Sequence, residues 1–175
     1  SQAVSVQLSS ELSPFLYPNQ FCNFSASSAV VPLADELTKD AADELAKVAG
    51  VYNWVVDNIS YDTNLAATVS SGYLPDVDSV LAKKKGICFD YAALMTSMLR
   101  AEDVPTKLVV GYSGSVYHAW ISVYTKASGW VDNVIYFDGN AWKLMDPTFA
   151  SNGKRSAAIM DYIGNGSNYR TRFSY

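Results

Sequence analysis

The feature that most constrains this chain is a change of hydrophobic period at Pro105. Before it, apolar residues recur at helical spacing. In residues 41–59, Leu45, Val48, Ala49, Tyr52, Val55, Val56 and Ile59 make one stripe. Asp40 stands where an N-cap belongs, with Asp43 and Glu44 in the first turn, where negative charge suits the helix dipole. Tyr52 and Trp54 read as packing residues. A loop with Gly72, Pro75 and Asp76 follows, then a short helix over 77–84 that stops at Gly86. A third helix runs over 88–101, with Tyr91, Leu94, Met95, Met98 and Leu99 turned inward. After Pro105 the period is two, and 107–112, 119–124, 134–137 and 141–145 read as strands. Asp138-Gly139-Asn140 signals a hairpin between the last two. Helices first and antiparallel strands second predict an α+β fold rather than alternating βαβ units.

A chain of 175 residues with 49% hydrophobic content suits a single domain, able to bury roughly 70% of its unfolded surface without cross-links. Residues 1–32, rich in Ser, Asn and Pro, read as an arm with one short strand at 4–8, either docked on a core of residues 33–150 or reaching a neighbour. Residues 151–175 form a C-terminal segment without a legible motif. The net charge of −4, with no basic cluster longer than Lys83-Lys84-Lys85, argues against nucleic acid or an anionic membrane surface as partner. No apolar run reaches the ~18 to 20 residues that span a bilayer, so no membrane span is expected. Twelve tyrosines, many Ser and Asn, and one histidine favour a secreted or cell-surface bacterial protein. One histidine and two separated cysteines make no zinc set, no EF-hand-like acidic loop is present, and neither glycine-rich nucleotide fingerprint occurs. No metal or other cofactor is implied.

Three residues carry chemistry. In Gly86-Ile87-Cys88-Phe89-Asp90-Tyr91, a glycine closes one element and a helical pattern starts at once, which puts Cys88 at a helix N-terminus. There the unpaired first-turn N–H groups and the positive dipole end favour thiolate over thiol, and the same N–H groups suit an oxyanion. His118, the only histidine, precedes Ala119-Trp120-Ile121-Ser122-Val123 and so begins a strand. Asp146 ends the strand Trp142-Lys143-Leu144-Met145 and precedes Pro147, which stops ladder pairing. Each alone has a plainer use: a core cysteine, a satisfied histidine, a turn-capping Asp. Cys, His and Asp in that order, one per element end, form the set that a thiol nucleophile, its base and its orienter require. That chemistry needs a free thiolate, so a Cys22–Cys88 disulfide is not expected, and Cys22 reads as a small buried hydrophobe.

These segments resemble the three signature segments of the transglutaminase-like superfamily: Cys88 with its surroundings, His118-Ala119-Trp120 and Asp146-Pro147-Thr148. The helix from Ala92-Ala93-Leu94 to Leu99-Arg100-Ala101, the strand Val104 to Tyr112, and the upstream Tyr52-Asn53-Trp54-Val55 and Ile59-Ser60-Tyr61-Asp62 extend the resemblance over residues 35–150. It implies a papain-like α+β core, with the nucleophile helix packed on an antiparallel sheet that bears the histidine and aspartate. It also implies attack of Cys88 on an amide carbonyl of a peptide or protein substrate, a thioester acyl-enzyme, and transfer to water or to an amine. His118 would be general base and acid and Asp146 the orienter. Tyr61 falls near an aromatic that helps hold the oxyanion, or is a packed tyrosine after a helix. The chain departs from animal transglutaminases, which use calcium and carry extra β-domains. Hydrolysis by a peptidase, cross-linking, a related amidase reaction on a glycosylated asparagine, and a non-catalytic peptide-binding surface module therefore all remain open. Residues 125–134 look like an insertion between strands, with Trp130 exposed or lining the cleft. Oligomeric state is not legible.

Overall fold

The computed structural model describes residue 5 and residues 7–132, 135–137, 142–144 and 166–175. A central helix, α5 (Cys88–Ala101), organises them. It is buried from Asp90 to Arg100 because it has neighbours on all sides. Helices α1 (Val30–Thr38), α2 (Glu44–Asn58) and α4 (Val77–Lys83) pack on one side, and strands β3 (Thr106–Ser113) and β4 (Val116–Thr125) on the other. The enclosed surface is mostly apolar, with Tyr91, Leu94, Met95, Met98 and Leu99 each 0% exposed, while the buried Asp90 and Arg100 near its two ends are satisfied by hydrogen bonds. Burial of such side chains contributes about 1.5–3 kcal/mol apiece.

The main sheet is antiparallel throughout, in the order β5-β4-β3-β8, where β5 is Gly129–Val131 and β8 is Tyr169–Ser174. Its core ladder runs from Thr106 opposite Val123 to Ser113 opposite Val116. Two short strands, β1 (Ser60–Tyr61) and β2 (Lys85–Gly86), pair in parallel, and a six-residue helix, α3 (Thr63–Thr68), follows β1. Strands β6 (Ile135–Phe137) and β7 (Trp142–Leu144) pair antiparallel with Phe137 opposite Trp142, as the hairpin reading expects. Among the described residues that hairpin forms its own two-stranded sheet beside α2 instead of extending the main one.

Several sequence expectations shift. Helix α2 begins at Glu44, three residues later than Asp40 suggests, because Asp43 is the N-cap: its Oδ1 accepts the Ala46 N–H at 2.8 Å. Helix α4 ends before Gly86 because Lys84 takes the left-handed conformation, φ 50°. Helix α1 crosses the expected boundary between arm and core at residue 32, with Pro32 in its first turn, where no N–H is needed. The strand expected at 4–8 includes residues 4 and 6, outside the described set, and residues 5, 7 and 8 are not in a strand. Trp130 does not line the cleft. It sits in β5 opposite Tyr124, edge-on to Phe15 (centroids 5.0 Å apart), with the Lys107 ammonium 3.6 Å above its ring.

Arg100 ties the two chain ends to this frame. Its guanidinium, 2% exposed, donates to the carbonyls of Thr106 (2.9 and 2.7 Å), Tyr17 (2.6 Å) and Tyr175 (2.8 Å) and to Cys22 Sγ (3.2 Å). Cys22 is a free, fully buried thiol whose pKa burial pushes up, with the Arg100 charge pulling it partly back. Phe21 then stacks against Tyr175 (4.2 Å) and Phe89 (5.9 Å).

Candidate active site

Cys88 is the first residue of α5, half-buried, after Ile87 in an extended conformation as N-cap. Isoleucine has no side-chain acceptor, so the turn is held from the other end. The Asp90 carboxylate accepts the Ile87 N–H at 2.8 Å on Oδ2 and the Tyr73 hydroxyl at 2.7 Å on Oδ1. Asp90 is 0% exposed. Burial raises its pKa, while the Ile87 and Tyr73 hydrogen bonds hold it down in part. Burial and the same carboxylate push the Tyr73 phenol well above its ordinary range. Gly86 is required here, since a Cβ on it would lie 2.6 Å from Asp90 Cβ.

The β1–β2 ladder brings Tyr61 to the turn that precedes Cys88. Tyr61 lies opposite Gly86, the Ser60 N–H donates to Lys84 O (3.0 Å), and the Asp62 N–H donates to Gly86 O (2.9 Å). The Tyr91 hydroxyl, one turn into α5, donates to Ile59 O at 2.8 Å and fixes the helix to the same strand.

His118 is the third residue of β4, opposite Gly111 on β3, and 4% exposed. Its ring stacks over that of Trp120, two residues on and therefore on the same face (centroids 6.3 Å apart). Gly111 leaves room for the strands on either side: a Cβ there would fall 2.1 Å from Arg170 O on β8 and 2.8 Å from the Trp120 ring. The β3–β8 register shifts at this glycine.

Cys88, His118 and Tyr61 line one cleft of about 630 Å³. One lip is the loop from Val69 to Leu74, the other is the start of β4 at Val116 and Tyr117, and Phe21 and Tyr175 also line it. The structure thus brings together three of the four residues singled out in sequence. The fourth, Asp146, lies outside the described residues; β7 ends at Leu144. Asp90 and Tyr73 were missed. An Asp three residues after the N-cap is a capping signal, but Ile87 is not a capping residue type, and nothing local points to Tyr73. Chemically, one cleft is lined both by a thiol at a helix N-terminus and by an imidazole on an antiparallel sheet. Among the described residues no group of three His, Cys, Asp or Glu converges as a metal site would need, and no helix is long and apolar enough to cross a membrane.

Helices before an antiparallel sheet, with a cysteine opening the central helix, define a papain-like α+β protein. Residues 31–147 match the transglutaminase-like superfamily, and the chain belongs to it. It is 27% identical over 139 residues to the kyphoscoliosis peptidase of Homo sapiens and of Mus musculus, a match covering 73% of this chain and 19% of theirs. In structure it is similar to a candidate cysteine protease of Cytophaga hutchinsonii (TM-score 0.63, 19% identity, 96% of this chain and 48% of that one). It is also similar to the periplasmic domain of TgpA from Pseudomonas aeruginosa (TM-score 0.56, 22% identity, 81% and 50%). The chain spans about a fifth of the length of the curated relatives and about half that of the two solved chains.

Proposed function

We propose that this chain is a cysteine-dependent amide hydrolase or acyltransferase acting on peptide or protein substrates. The observation that carries the reading is the shared cleft: Cys88 at the start of α5 and His118 on β4 face one space, with Tyr61 beside the nucleophile turn. His118 takes the thiol proton as Cys88 Sγ attacks the scissile carbonyl carbon. The carbonyl oxygen becomes an oxyanion, held by first-turn N–H groups of α5 and by the Tyr61 hydroxyl. Collapse breaks the C–N bond, His118 returns the proton to the leaving amine, and a thioester remains. Water or a second amine, deprotonated by His118, then displaces the thiolate. Asp146 orients the imidazole, as the resemblance of Asp146-Pro147-Thr148 to the third family segment suggests.

Of the two acceptors, water is favoured. The described cleft has an open apolar rim and no feature suited to an amine, and the human and mouse relatives are named peptidases. A secreted or cell-surface setting fits the likeness to a periplasmic domain. Incubation with a peptide library followed by amino-terminal sequencing tests this. New amino termini that vanish in Cys88→Ala are expected; cross-linked products alone would assign the acyl-enzyme to an amine, and no Cys88-dependent product would remove the catalytic reading.

A further inference from the structure

The two lips of the cleft are unlike the rest of the described surface. Among all the described residues seven large apolar side chains stand exposed, and four of them line this one cleft: Val69 and Leu74 on the first lip, Val116 and Tyr117 on the second. Leu74 is 48% exposed and Val116 58%. Scattered exposed apolar residues need no cause, but a cluster at the mouth of a cleft marks a binding surface. Charge points the same way: among the described residues that line it, His118 is the only ionisable base, and none is Asp, Glu, Lys or Arg. Both lips are also held in place. Tyr73 anchors the first to α5 through Asp90, while the Tyr117 ring packs edge-on to Tyr112 (5.5 Å), which lies under the Arg170 guanidinium (5.2 Å).

We infer that the substrate is a peptide segment carrying uncharged, apolar or aromatic side chains next to the scissile amide, gripped between these two lips. This deepens the proposed function and rests on it. An apolar side chain gains by leaving water between the lips, whereas a charged one would be desolvated there with no opposite charge among the described lining of either lip.

The test uses three peptidyl chloroacetamides that differ only in the residues flanking the warhead: Leu-Leu, Lys-Lys and Asp-Asp. Cys88 sulfur displaces chloride to leave a thioether, read by intact mass, and each rate is divided by that for iodoacetamide, which has no side chain for the lips to grip. The Leu-Leu probe should react at least tenfold faster than either charged twin. In Leu74→Lys/Val116→Lys the Asp-Asp probe should gain on the Leu-Leu probe by a similar factor; both sites are exposed, and a melting curve checks folding. Equal normalised rates for the three probes, or ratios unmoved by the double substitution, would overturn the inference. If iodoacetamide labels Cys88 no faster in wild type than in His118→Ala, it is the catalytic reading that falls, and the probe ratios still decide what the lips bind.

Discussion

Replacing Asp90 tests how the turn before Cys88 is held. Asp90→Ala would strip the Ile87 N–H and the Tyr73 hydroxyl of a buried, charged acceptor. Such bonds are worth about 1.5–3 kcal/mol each, and relief of the carboxylate's desolvation returns part of that sum, so a net loss of about 3 kcal/mol is expected. Asp90→Asn keeps an acceptor for the Ile87 N–H and can turn its amide to the Tyr73 oxygen, so about 1 kcal/mol is expected. The pH dependence has a definite sign. Burial raises the Asp90 pKa; Asp62 nearby raises it further, while Ile87, Tyr73 and Lys83 lower it. A carboxyl whose folded pKa lies above its unfolded value binds more protons folded than unfolded. Its contribution is complete below the ordinary carboxylate range, near pH 4, and fades as pH rises through the folded pKa. Asparagine cannot titrate, so the stability advantage of wild type over Asp90→Asn should shrink as pH rises from about 4 towards 7. Urea melts of the three proteins across that range measure it. An alanine variant within about 0.5 kcal/mol of wild type, or a wild-type advantage that grows with pH, would refute the reasoning.

Gly111→Ala would drive a methyl group into Arg170 O and the Trp120 ring, so a loss of about 3 kcal/mol is expected, with β8 released first in hydrogen exchange. Lys84→Gly should stabilise by about 0.5–1 kcal/mol, because Lys84 holds a left-handed φ of 50°; thermal melting should rise by about 2–4 °C. Arg100→Met takes the guanidinium from the Thr106, Tyr17 and Tyr175 carbonyls, of which Tyr175 keeps the Leu108 N–H, and should cost about 3 kcal/mol, with early proteolysis around Tyr17 as the readout.

Legibility in the sequence followed periodicity. Helix α5 spans the predicted 88–101 because Tyr91, Leu94, Met95, Met98 and Leu99 recur at helical spacing and the pattern starts abruptly after a glycine. Strands β3 and β4 differ from expectation only at their ends. Helix α1 escaped because its buried face is Val30, Ala34 and Thr38, a pattern too sparse to read through Pro32. Strand β8 escaped because only Tyr169 in it is buried; it is an edge strand recruited by backbone pairing, with Arg170 and Arg172 exposed. Within the site, Cys88 and His118 were visible as residue types at element ends. The Tyr73–Asp90 bond spans 17 residues, and Phe21 and Tyr175 reach the cleft from opposite ends of the chain, so only tertiary packing assembles them.

The central claim is that His118 activates Cys88, and iodoacetamide labelling at pH 6 tests it most directly. Cys22, free but fully buried, serves as the internal control. The account predicts that Cys88 labels at least tenfold faster than Cys22 and than a small model thiol at that pH, and that His118→Ala abolishes the advantage. Labelling of Cys88 at the model-thiol rate, indifferent to His118, would contradict it and leave a cleft that binds peptides without cleaving them.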